Sequence, residues 1–134
     1  MLVRIALALV AVLLASDAWT KDCPESESLA AHYAAPQART WTELHAAFLE
    51  YGHCDDGAIA GEFSESVSFI LADRWQSFRE GAVLMNREPA FKEFVLGHLG
   101  EVTPRDLWDR ILMNASSQCP AGEEALCRQI SSQE

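Results

Sequence analysis

Residues 55–75 read DDGAIAGEFSESVSFILADRW, and this stretch determines the predicted fold. Apolar side chains recur here every three or four residues, which is the period of an α-helix with one buried face. These positions are Ala58, Ile59, Phe63, Val67, Ile70, Leu71 and Trp75. Two aspartates precede them, at the end where the helix dipole favours negative charge. The sequence therefore predicts a central amphipathic helix of about 20 residues.

Two glycines in the same stretch, Gly57 and Gly61, lie four positions apart. Residues at this spacing share one face of a helix. Because glycine has no Cβ, the pair permits a neighbouring helix to approach the backbone closely. We expect a helix–helix contact at this position.

Helix-start signals occur on both sides of the central helix. Thr40 and Glu43 have the spacing of a capping box, in which each side chain bonds a free backbone N–H of the first turn. Thr103 followed by Pro104 predicts an N-cap and a first helical residue. A weak helix is predicted at 26–34 and a short one at 81–85. With no strand-like alternation, the predicted fold is all-α, a single small bundle of five to six helices tied by two disulfides.

The N-terminus has the features of a secretory signal peptide. One basic residue, Arg4, precedes an apolar run at 5–15, and Ser16 and Ala18 place small residues where signal peptidase requires them. An uncleaved anchor is the alternative, but the run is shorter than the roughly 20 residues that cross a membrane. We therefore predict a signal peptide at 1–18, and a helical periplasmic domain at 19–134 that does not insert into the membrane.

All four cysteines follow the predicted cleavage position: Cys23, Cys54, Cys119 and Cys127. An even number of cysteines in a small exported domain predicts two disulfides, with three possible pairings. We favour Cys119–Cys127, which closes a short loop containing proline and glycine. The other bridge, Cys23–Cys54, would then join the N-terminal segment to the start of the central helix.

The chain is strongly acidic, with 20 Asp and Glu against 10 Lys and Arg, for a net charge of −10. Removing residues 1–18 takes away one basic and one acidic residue, so the mature charge is unchanged. Such a surface repels nucleic acid, and it favours protein partners with a basic face. The alternative is that the acidic charge only keeps the protein in solution.

The densest group of potential metal ligands is His-Cys-Asp-Asp at 53–56. A metal site there requires a free thiolate at Cys54 and a further ligand such as His45 or His98. In an oxidising compartment Cys54 is expected to form a disulfide, and aspartates are common at a helix start. No metal or cofactor is therefore assigned.

A nucleophilic Ser/His/Asp site is the other catalytic candidate. It would use Ser64 or Ser66 with His53 and Asp56. Neither serine lies in the strand–turn–helix context that exposes a catalytic serine. A bridged cysteine is no nucleophile either. We therefore predict that the chain is not an enzyme and assign no catalytic residue.

Two segments of the chain carry a resemblance. The first is 51–60, YGHCDDGAIA, with the following Phe63 to Val67; the second is Cys119-Pro120 with Leu126-Cys127. Together they resemble a group of small exported helical proteins of gamma-proteobacteria such as the xanthomonads. Some members look like periplasmic immunity proteins paired with toxins that bacteria deliver to their neighbours. The resemblance implies a small periplasmic helical protein that binds another protein.

The layout is also similar to the type VI amidase immunity (Tai) family, whose members are small periplasmic helical proteins. They have a cysteine at the head of a helix rich in glycine and alanine, and another after the last long helix. The aromatic-plus-glycine signature that follows the first cysteine in that family is replaced here by Asp55-Asp56-Gly57. The similarity therefore concerns architecture, and it assigns no binding residue.

These observations together predict a periplasmic immunity protein that binds and neutralises a secreted antibacterial toxin acting in the cell envelope. The expected partner is a cognate toxin with a basic binding face. Our candidate contact residues are the acidic side of the central helix: Asp55, Asp56, Glu62 and Glu65. The alternative is an exported envelope accessory or adaptor protein without enzymatic activity.

Overall fold

The computed structural model describes residues 21–133, so the predicted signal peptide and its cleavage position lie outside the described residues. Seven α-helices follow one another within this range, and no strand occurs in it. They are α1 (Glu25–Ala34), α2 (Trp41–Tyr51), α3 (Gly57–Asp73), α4 (Phe78–Arg87), α5 (Pro89–Gly97), α6 (Arg105–Ser117) and α7 (Glu124–Ser131). None of these seven is long and apolar enough to cross a membrane.

The all-α prediction is confirmed, but the helix count of five to six was too low. The weakly predicted segment near 26–34 and the short one near 81–85 each form a helix of 10 residues, α1 and α4. Burial supports both of them: Ala31 of α1 and Met85 of α4 lie in the core. Packing of one face supplies most of the stability of short helices in proteins, and local sequence signals underestimate it.

The central helix is α3, which contacts α1, α2 and α6. The positions from Ile59 to Leu71 that the periodicity selected are buried, as is Trp75 just beyond the helix end. Ala58 was predicted to be buried and is exposed. It precedes Ile59 by one residue, which is about 100° around the helix, and so it faces solvent.

The two predicted helix starts differ in outcome. At α2 the capping box is confirmed: Thr40 Oγ1 accepts a hydrogen bond from Glu43 N (3.2 Å), and Glu43 Oε2 accepts one from Thr40 N (3.1 Å). At α6 the predicted cap was wrong, because Pro104 and not Thr103 is the N-cap residue. Trp108 N bonds Pro104 O, so the helix begins one residue later than expected. Thr103 Oγ1 is left buried without a hydrogen-bond partner.

The expected close approach at Gly57 and Gly61 is not found. A Cβ built on either glycine would meet no heavy atom within 4 Å. The close approach occurs instead at Gly81 of α4, where a Cβ would lie 2.3 Å from Cε2 of the Trp41 ring. Trp41 is fully buried, so glycine at position 81 is what permits α4 to pack against α2.

Both favoured disulfides are confirmed. Cys23–Cys54 joins the segment before α1 to the turn before α3, over a sequence separation of 31. Cys119–Cys127 closes a loop of separation 8 between α6 and α7. No cysteine is left free. The first bridge therefore holds the chain close to the position where α3 begins.

Candidate functional site

A groove of about 810 Å³ lies between the start of α3, the end of α5 and the loop that leads into α6. This volume is within the range of protein ligand sites. The residues that line it are Asp55, Gly57, Ala60, Gly61, Ser64 and Glu65, then Glu93, Phe94, Gly97 and His98, and finally Val102, Pro104 and Leu107. We refer to it as the acidic groove.

Missing side chains create much of the space in the acidic groove. Gly61 of α3 and Gly97 of α5 both line it, and a Cβ added at either would meet no atom within 4 Å. Gly57 adopts a φ of +53°, a conformation that side chains rarely permit. This lets the chain turn directly from the Asp56 cap into α3. The glycines that suggested a helix contact therefore form the walls of an open site.

The groove is acidic because three carboxylates line it: Asp55, Glu65 and Glu93. No lysine or arginine is among its lining residues. Arg39 reaches Glu65 from outside the groove, with 3.3 Å between Nη2 and Oε1. Both side chains of this pair are well exposed, and such pairs contribute about 0–1 kcal/mol. Glu65 is thus free to change partners, and Glu93 forms no ion pair within residues 21–133.

Apolar side chains also line the groove, and we refer to them as the apolar wall. Phe94, Val102 and Leu107 line it, and Val102 is 61% exposed on the loop before α6. The Phe94 ring is held by aromatic neighbours, with ring centroids 5.0 Å from Phe63 and 4.9 Å from Phe48. The groove therefore presents negative charge beside an apolar surface, a combination found in protein-binding sites.

A chain of side-chain hydrogen bonds lies at the base of the groove. His98 Nε2 is 2.9 Å from Asp55 Oδ2, and His98 Nδ1 is 2.8 Å from Ser64 Oγ. Ser64 Oγ is also 2.9 Å from the carbonyl oxygen of Ala60. His98 and Ser64 are both buried. The imidazole thus connects the residues around the start of α3 to the C-terminal end of α5.

Which hydrogen bonds of this side-chain network form depends on which ring nitrogens of His98 carry a proton. A neutral ring that donates Nε2–H to Asp55 must accept at Nδ1, so Ser64 gives its only proton to the ring and not to Ala60. A doubly protonated ring donates to Asp55 and to Ser64, and Ser64 then donates to Ala60. Asp55 Oδ1 remains buried without a partner in the structure.

These residues have the types of a Ser/His/Asp nucleophile site, but not its surroundings. Ser64 lies in the second turn of α3, where the backbone N–H groups are used by the helix itself. An acyl-transfer serine needs free N–H donors beside it for the developing oxyanion. The α3 backbone offers none at Ser64. What the arrangement does chemically is to hold α3 and α5 together beneath the groove.

The other residues considered for a Ser/His/Asp site take no part in the hydrogen bonds between Asp55, His98 and Ser64. Ser66 donates a hydrogen bond to the carbonyl oxygen of Ala35. His53 pairs with Glu27 of α1, and Asp56 accepts a bond from Gly57 N (2.8 Å). Of the four residues considered from sequence, only Ser64 contacts His98.

The candidate metal ligands at 53–56 also have separate partners. Cys54 is in a disulfide, His53 binds Glu27, and Asp55 binds His98. Within residues 21–133, one group of three potential ligands has its donor atoms within 4.8 Å of one another: Cys23, His53 and Cys54. Both sulfurs of this group form the disulfide, so neither is available as a thiolate.

The structure divides the four candidate contact residues into two pairs. Asp55 and Glu65 line the acidic groove. Asp56 caps α3 and borders a second depression, between α1 and α3. Glu62 pairs with His32, with 2.7 Å between Oε1 and Nδ1, and its side chain is 20% exposed. The acidic side of α3 is therefore not one continuous surface.

Sequence reasoning missed Glu93 and Leu107 as groove residues, and it considered His98 only as a metal ligand. Glu93 and Gly97 are four residues apart on α5, so they share a face, and the pattern of that face resembles the one formed by Gly61 and Glu65 on α3. This similarity was a usable signal. No such signal existed for Leu107, because it lies on the apolar face of its helix, where a core residue is equally expected.

Comparison of the chain with protein-family models, with curated protein sequences and with solved structures gives no match.

Proposed function

We propose that this chain is a periplasmic immunity protein, a non-enzymatic inhibitor that binds and neutralises a secreted toxin acting in the cell envelope. The observation that carries the proposal is the acidic groove, which combines three carboxylates with an apolar wall on a rigid helical frame. An inhibitor of this kind acts by covering a functional surface of its partner.

The negative charge of the chain supports the proposal that its partner is a basic protein. The net charge of −10 attracts a basic protein over a distance of about one Debye length, roughly 8 Å in physiological salt. A protein bound in the groove would partly desolvate the carboxylates that line it. Charges in such a setting govern which partner is accepted and how fast it binds.

Disulfides support an exported protein. The described chain has two disulfides and no free cysteine, which is typical of small domains in oxidising compartments. A protein that must keep one fixed surface in the cell envelope gains from bridges that restrict its unfolded chain. The resemblance to exported proteins that look like immunity proteins points in the same direction.

A deletion strain provides the decisive experiment. We expect cells that lack the gene to be inhibited by a toxin encoded beside it, and we expect a plasmid copy to restore growth. The purified protein should bind that toxin with nanomolar affinity or better, measured by calorimetry. Normal growth of the deletion strain, together with no binding to any adjacent gene product, would refute the proposal. Binding to an envelope protein that is not toxic would favour the accessory or adaptor function.

A further inference from the structure

We infer that the acidic groove receives an arginine or lysine side chain, carried with a neighbouring apolar residue on a protruding loop of the partner. This inference rests on the proposed function for the statement that the partner is a toxin. That the bound side chain is cationic follows from the residues that line the groove and does not depend on the proposed function. Asp55, Glu65 and Glu93 line it without any lysine or arginine among its lining residues, so a cation complements it and an anion is repelled.

The distribution of the carboxylates favours a long cationic side chain over a metal ion. Among residues 21–133, no three histidine, cysteine, aspartate or glutamate residues of the groove bring a ligand atom each to within 4.8 Å of one another. A metal ion requires such a compact cluster. A guanidinium group has five donors and an ammonium group has three, and both sit on a flexible stem that can reach separate acceptors.

The apolar wall suits the remainder of such a segment. Arginine and lysine carry three or four methylene groups, which are buried favourably along apolar surface while the charge meets its acceptors. Phe94 and Leu107 offer this surface beside Glu93. A volume of about 810 Å³ holds more than one side chain, so an apolar neighbour in the loop also has room.

One acceptor in the groove still lacks a donor. Asp55 Oδ2 is bonded to His98, but Asp55 Oδ1 is buried without a hydrogen-bond partner. An unpaired buried acceptor is unfavourable, and it gains when a donor reaches it. Because Oδ1 is buried, a guanidinium group in the groove would supply this donor only after the Asp55 carboxylate turns toward it.

A titration followed by NMR tests the inference without knowledge of the toxin. The probe is N-acetyl-arginine amide, and the control ligand is N-acetyl-glutamine amide, which is polar but uncharged. We expect saturable shifts at millimolar probe concentrations for the backbone amides of Gly61, Glu93, Gly97 and His98. The control ligand should leave these signals in place. Equal shifts with both ligands, or no shift with the arginine probe, would overturn the inference.

A filled groove provides a steric test in the folded protein. A side chain at Gly61 has open space, so Gly61→Leu should occupy the groove and weaken binding of the probe more than tenfold. Leucine also favours the helix over glycine, so the variant should fold. Ala125→Leu, on exposed surface of α7, is the matched control and should bind as the wild type does. Unchanged binding by Gly61→Leu would contradict the inference.

A change of charge gives a second, independent readout. Glu93→Gln preserves the shape of the side chain and removes its charge, so binding of the probe should weaken about threefold, as for an exposed ion pair. The dependence of binding on salt should also become smaller. Glu80→Gln, on exposed surface of α4 outside the groove, should change neither. Equal effects of the two variants would show that the groove does not hold the cation.

Failure of this inference can be distinguished from failure of the proposed function. If a toxin binds tightly and Gly61→Leu binds it equally well, the immunity function stands and the groove is not its contact site. If the arginine probe binds in the groove but no toxin is found, the groove takes a cation and the proposed function fails.

Discussion

Replacing His98 by alanine should lower the free energy of unfolding by about 3 kcal/mol. His98 is 6% exposed, and its two ring nitrogens bond residues of a different segment of the fold. The substitution removes both bonds and leaves the buried acceptor of Asp55 and the hydroxyl of Ser64 with fewer partners.

The magnitude follows from three contributions. A hydrogen bond to a charged group is worth about 1.5–3 kcal/mol, and the lower end applies because the Asp55 side chain is 24% exposed. The bond to Ser64 contributes about 1 kcal/mol. The ring also packs edge-on against Phe94, with centroids 4.6 Å apart, and such contacts add about 0.5–1.5 kcal/mol. Against a typical total stability of about 5–15 kcal/mol, the loss is large but leaves the protein folded.

Urea unfolding monitored by tryptophan fluorescence, with both disulfides intact, measures this change. His32→Ala is the matched control: His32 also pairs with a carboxylate, Glu62 at 2.7 Å, but its side chain is 52% exposed. That substitution should therefore lower stability by about 1 kcal/mol or less. A loss of under about 0.5 kcal/mol for His98→Ala, or one no larger than that of the His32 variant, would contradict the expected role of His98.

Three further predictions concern stability. Gly81→Ala should destabilise by about 1–3 kcal/mol in urea unfolding, because its Cβ would lie 2.3 Å from the buried Trp41 ring, while Gly61→Ala should stabilise slightly. Removing the disulfide of separation 31 should lower the free energy of unfolding by about 1 kcal/mol more than removing that of separation 8, and it should also lower the melting temperature more. The hydrogen bond from His53 lowers the pKa of Glu27 below its usual 4.5, so the stability it contributes is present above pH 4.5 and is lost as the pH falls through the lowered value. The stability difference between Glu27→Gln and wild type should therefore shrink in acid titrations, and a difference that grows there would contradict this assignment.

The parts of the fold that sequence predicted are those fixed by neighbours in the chain. The capping box at Thr40 needs only three residues of separation, and the buried face of α3 needs only the helical period. The pairing of the cysteines was favoured because one bridge closes a short loop. In each case the responsible contact lies within a few residues, or the choice is restricted to a small number of alternatives.

The parts that sequence did not predict depend on distant contacts. His98 meets Ser64 across 34 residues and Asp55 across 43, and nothing near His98 in the chain indicates either partner. Ala58 is a second case in which distant contacts decide the outcome. Its place in an apolar pattern suggested burial, but which face of the first turn of α3 is covered depends on the position of α1.

The glycines illustrate why a groove is hard to infer from a single sequence. A pair of glycines four apart permits either a close helix neighbour or an open space, and the pattern is identical in both cases. Gly61 lines a groove that a second glycine, Gly97, also lines, and neither position supplies a side chain to fill the space. At Gly81 the facing element presents the Trp41 ring, which fills it. The side chain opposite the glycine decides the outcome, and that side chain is known only from the fold.

This arrangement links binding to stability in a way that experiments can separate. Because glycines open the groove, the segments that form it pack less directly against each other there. They are held by the hydrogen bonds of His98 to Asp55 and Ser64 and by the contact between the Phe63 and Phe94 rings. A substitution at His98 should therefore weaken both folding and binding, since it removes a support of the site. A larger side chain at Gly61 should weaken binding alone. If the groove is the contact site, the two variants differ in stability but agree in failing to bind, and a mere loss of folding cannot produce that combination.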